Sequence, residues 1–79
     1  MGGIPLAMTQ EQVRKVIAGS IRFERKKHDY TIKQLGSAIG VNESTITGWE
    51  GNGGNVGLDD AWLMADQYGI SLDQLAGRS

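Results

Sequence analysis

The 79 residues suffice for one small domain, and the absence of cysteine excludes disulfide staples and thiolate zinc sites. Hydrophobic residues at 39% and charged residues at 22% read as globular rather than disordered, and no apolar run approaches the ~20 residues of a membrane span. The net charge of −1 conceals a split: residues 1–40 hold seven Lys/Arg against three acids, whereas residues 41–79 hold Arg78 against six. Such asymmetry suits one face to a polyanion and the other to solvent or a partner.

The opening "MGGIPLAM" has no basic n-region and no signal-peptide pattern, so residues 1–8 read as a flexible N-terminal segment ahead of one domain over 9–79. Thr9 with Gln12 has the spacing of a capping box. Val13, Val16, Ile17 and Ile21 then follow at helical spacing, which predicts a first helix over about 10–28. Ser20 and Glu24 interrupt its apolar stripe, and Arg25, Lys26 and Lys27 complement the dipole at its end. Thr31 with Gln34 opens a second, short helix with Leu35 and Ile39 inward. Gly40 suits a left-handed C-terminal position, and Asn42 is placed to cap a third helix over 43–50 that buries Ile46 and Trp49.

The Gly-rich "GNGGNVG" reads as a flexible loop, since it lacks the lysine and strand-to-helix context of a phosphate-binding loop. A fourth helix is expected over 58–68, with Leu58, Ala61, Met64, Ala65 and Tyr68 on one face, Trp62 at its edge and Gly69 as its stop. Leu63 points off that face. Asp59 and Asp60 at the helix start read as dipole partners rather than metal ligands. Ser71 with Gln74 is a third capping pair, for a last short helix carrying Leu72 and Leu75. The single histidine, His28, rules out a His-based metal cluster or catalytic pair by count. No enzyme constellation is present, and no metal or cofactor is expected. Phe23, Tyr30, Trp49, Trp62 and Tyr68 are too dispersed for a base-stacking platform and are expected in the core.

The break at Gly40 carries the functional reading. Two short helices joined by a tight glycine turn form a helix-turn-helix, which can present its second helix to a DNA major groove. Gly36 supplies the small residue for close approach, and Gly40 supplies the turn. Ile46 and Trp49 pin the second helix from behind, leaving Asn42, Glu43, Ser44 and Thr47 outward.

In "TIKQLGSAIGVNESTITGWE" and "GLDDAWLMADQYGISLDQLAG" the chain resembles the lambda-repressor/Cro-like (XRE) helix-turn-helix family, over about residues 20–77. The resemblance implies an all-α, five-helix domain and a cytoplasmic transcriptional regulator or repressor of phage or bacterial type. It also implies a homodimer that binds double-stranded DNA sequence-specifically on palindromic sites. Base contacts then fall to Glu43, Ser44 and Thr47, and phosphate contacts to Lys33, Asn42, Asn52 and Arg22. It further implies a structural ion pair, Arg25 with Glu50.

The chain departs from the family's pattern at several positions. Ile32 stands where a phosphate-binding Gln is common, Gly48 replaces a base-reading side chain, and the loop after the recognition helix lacks basic residues. The acidic C-terminal half leaves a second class of function open, a protein-interaction module of the same fold such as an antitoxin or assembly factor.

Overall fold

The computed structural model describes residues 8–52 and 56–78. Apart from Met8, the expected flexible N-terminal segment lies outside the described residues. Five helices follow in order: α1 (Gln10–Lys27), α2 (Ile32–Ile39), α3 (Glu43–Asn52), α4 (Leu58–Tyr68) and α5 (Leu72–Leu75). No strand occurs among the described residues, so the protein is all-α. No helix among them is long and apolar enough to cross a membrane.

The starts of α1 and α2 follow from their side chains. Thr9 Oγ1 accepts from Gln12 N at 3.1 Å while Gln12 Oε1 accepts from Thr9 N at 2.9 Å. Thr31 and Gln34 repeat the exchange at 3.0 and 2.9 Å. Each box satisfies two of the N–H groups that a helix start leaves orphaned. At α5 only half of the expected box forms, with Ser71 Oγ accepting from Gln74 N at 3.0 Å. Asn42 does not cap with its side chain either. Its carbonyl accepts from Thr45 N and Ile46 N at 3.1 and 3.2 Å, which starts α3 and leaves the amide free for the surface.

Between α2 and α3 the chain turns at Gly40, whose φ of 75° lies in the left-handed region. Gly40 N and Val41 N both donate to Gly36 O, at 2.8 and 2.9 Å. A Cβ on Gly36 would stand 2.5 Å from Val41 O and 3.5 Å from Ile46 Cδ1. That position must be glycine for the turn to close, and the chief obstacle is the turn's own carbonyl.

The core gathers Ile21, Leu35, Ile39, Ile46, Trp49, Met64, Ala65, Tyr68 and Leu75 from all five helices. The third helix packs against α1 and α2, while the fourth packs against α2 and α5. Not every apolar residue at helical spacing is buried. Val13 and Val16 are exposed, because α1, at about 27 Å long, overhangs a body too small to cover its first half. Leu58, expected on the inner face of α4, is exposed, as are Phe23 and Trp62, which were expected in the core. At 100° per residue Phe23 lies opposite the buried stripe of Ala18, Ile21 and Glu24, so the helix geometry carries it outward. The third helix also runs two residues further than expected, so Gly51 and Asn52 are helical rather than part of the loop.

Candidate nucleic-acid interface

The third helix is held from behind. Ile46 is fully buried and Trp49 nearly so, which fixes the rotation of the helix and turns Glu43, Ser44, Thr47 and Gly48 outward. A second clamp sits at its far end. Arg25 Nε donates to Glu50 Oε2 at 2.6 Å and Arg25 Nη2 to Glu50 Oε1 at 3.0 Å, a two-pronged pair tying α1 to α3. Arg25 Nη1 donates in addition to Tyr30 O at 2.8 Å, so the same guanidinium fixes the α1–α2 turn. Both side chains are about nine-tenths buried. The Glu50 hydrogen bond raises the Arg25 pKa above its usual value, against the opposing effect of burial. Behind the pair, His28 stacks on Tyr68 with ring centroids 4.7 Å apart. Burial pushes the Tyr68 phenol well above its ordinary range.

Lys33, Asn42 and Glu43 come together around one open groove, whose floor is formed by Gly36, Ser37, Gly40 and Val41. The groove pairs a cation and a free amide with the first carboxylate of α3, at the helix end whose dipole favours negative charge. Ser44 and Thr47 continue the exposed surface along α3. Asn52 stands at the opposite end of the helix, on its last turn. Arg22 lies apart from the groove, exposed on the outer side of α1.

One bond alters the chemistry that α3 can offer. Thr47 Oγ1 donates to Glu43 O at 3.0 Å, so its hydroxyl proton is turned back into the helix. What remains outward is an acceptor oxygen and a methyl group. Glu43, when ionised, is also acceptor-only, so of the three expected base-contact residues it is Ser44 that keeps a free hydroxyl donor. Sequence spacing located these residues but could not show the state of the Thr47 hydroxyl, because mid-helix threonines point either way. Among the described residues no group of His, Asp or Glu side chains is placed to hold a metal ion.

Comparison with known proteins agrees with this geometry. A crystal structure of the hypothetical transcription factor NHTF from Neisseria matches with a TM-score of 0.74 at 24% identity. The match covers 92% of this chain and 85% of that one, and shows a shared fold. An uncharacterized HTH-type transcriptional regulator of Bacillus subtilis (strain 168), YobD, is 33% identical over 57 residues, or 72% of this chain and 51% of YobD. The chain thus spans about half the length of the curated relative it matches. The helix-turn-helix profile HTH_3 matches residues 21–75, from the middle of α1 to the end of α5. The chain belongs to the HTH_3 helix-turn-helix family.

Proposed function

We propose that the domain is a transcriptional regulator that binds double-stranded DNA sequence-specifically, with α3 in the major groove. The observation that carries this reading is the outward turn Glu43–Thr47, exposed on a helix that Ile46, Trp49 and the Arg25–Glu50 pair hold rigidly in place. Rigid presentation of polar side chains is what base readout needs, because discrimination depends on hydrogen-bond geometry. Glu43 accepts from a cytosine amino group. Thr47 offers its methyl to thymine or its oxygen to an amino donor, and Ser44 adapts to either edge.

Lys33 and Asn42 at one end of α3, with Asn52 at the other, hold backbone phosphates and set the register. Binding as a homodimer places two copies of α3 in successive major grooves, so half-sites are expected about one helical turn, ~34 Å, apart. The relatives' names, which describe transcription factors and regulators, support the same reading.

Selection of bound duplexes from a randomised library tests it. An enriched motif with two half-sites at that spacing is the expected result. Recovery of unenriched sequence would defeat the reading and favour the second one, a protein-interaction module, which the acidic and apolar outer face of α4 supports.

A further inference from the structure

The outer faces of α1 and α4 are complementary in charge and both carry large exposed apolar side chains. On α1, Phe23 is 62% exposed and is flanked by Arg22, Lys26 and Lys27. On α4, Leu58, Trp62 and Leu63 are 73%, 59% and 45% exposed, and with Asp59 they line an open, apolar cleft. No Lys or Arg occurs on α4, which carries Asp59, Asp60 and Asp66. Among the described residues, the salt bridges are Arg25–Glu50 and a His28–Glu24 contact, so none of Arg22, Lys26, Lys27, Asp59 or Asp66 is engaged in one. Each face thus presents charge of one sign that has no ion-pair partner among the described residues.

We propose that this chain self-associates through these two faces, with Phe23 of one copy seated in the Leu58–Trp62–Leu63 cleft of another. Arg22 and Lys26, one helical turn apart on the rim of Phe23, then meet Asp59 and Asp66 on the rim of the cleft. Removing an aromatic ring and a tryptophan face from water supplies the attraction. The opposed charges choose the partner face. A contact between two α4 faces would instead bury aspartates against aspartates, and a contact between two α1 faces would do the same with cations.

The contact is heterologous, using different patches on the two copies, and is therefore separate from any two-fold pairing on a palindrome. It does not depend on DNA binding. A single ring with a charged rim is smaller than a standard stable interface, so the association is weak and salt-sensitive.

Sedimentation equilibrium over a range of protein concentrations tests the proposal, using wild type, Phe23→Ala, Trp62→Ala and an equimolar mixture of the two variants. Both side chains are largely exposed, and circular dichroism confirms that each variant is folded. The expected wild-type mass rises with concentration and falls back in high salt. Each variant alone should associate at least tenfold more weakly. The mixture should form one-to-one pairs, because Phe23→Ala keeps an intact cleft and Trp62→Ala keeps an intact Phe23. A wild type that stays monomeric throughout overturns the proposal. So does a variant that associates like wild type, a mixture that fails to pair, or association indifferent to salt.

Discussion

Arg25 is the side chain on which most of the helix-turn-helix geometry converges, since its three bonds join α1, the α1–α2 turn and α3. Removing one member leaves a nine-tenths-buried charge without its partner, which costs on the order of 3 kcal/mol. Arg25→Met and Glu50→Gln should each lower the melting temperature strongly, and the double variant should lose much less than the sum. Strictly additive losses in thermal melts would rule out the coupling. The pairing of positions 25 and 50 was legible only through family resemblance, because nothing in their spacing of 25 residues announces a contact. Glu24 shows the reverse. It was visible as a flaw in the apolar stripe, yet the structure buries it at 3% exposure, with Oε1 lacking a hydrogen-bond partner and 3.8 Å from His28 Nδ1. The proposed function gives Glu43 two separable roles, starting α3 and reading a base. Glu43→Gln keeps the size and removes the charge, so it should bind random DNA more tightly yet lose roughly 1–3 kcal/mol of discrimination at one base position. An equal gain on selected and random duplexes would leave only the helix-start role.

The elements were legible where local chemistry decides them. The capping residues Thr9, Thr31 and Ser71 begin α1, α2 and α5 as expected, and Gly40 and Gly69 end α2 and α4 with φ of 75° and 68°. Burial was less legible, because it depends on which helix faces find a neighbour. Helical spacing put Val13 and Val16 on the apolar stripe of α1 and Leu58 on the packing face of α4, but a stripe becomes core only where the fold covers it, and these three stay exposed. The turn element makes the sharpest prediction. In Gly36→Ala the new methyl carbon would lie 2.5 Å from Val41 O, so the turn must open or α3 must shift. The Ala variant should therefore lose stability, although alanine normally stabilises a helix interior by roughly 1 kcal/mol over glycine. Gly48→Ala meets nothing within 4 Å and should gain stability by about that amount. Chemical denaturation of the two variants checks the pair, and equal effects would contradict the close approach at Gly36.

Over the whole molecule, the charge split visible in the sequence becomes two faces of one domain. Arg22, Lys26 and Lys27 are exposed on the outer side of α1, whereas Arg25 turns inward to Glu50, and Asp59 and Asp66 are exposed on the outer side of α4. The third helix carries no Lys or Arg at all, and its surroundings contribute Lys33 as the cation of the groove. Sequence alone could count these charges but could not say which would stand beside α3, since that depends on the packing of α1 and α3. For the proposed DNA binding, the expected consequence is an affinity that leans on base readout more than on phosphate neutralisation. The affinity should fall with salt by a slope of about −0.9 for each phosphate neutralised, and few cations are placed to neutralise any. Fluorescence anisotropy titrations of the selected duplex and a scrambled one, across a range of salt concentrations, test the central claim most directly. The account predicts tighter binding to the selected duplex at every salt concentration, with a shallow slope for both. Equal affinities for the two duplexes, or a slope corresponding to about eight phosphates or more, would contradict it.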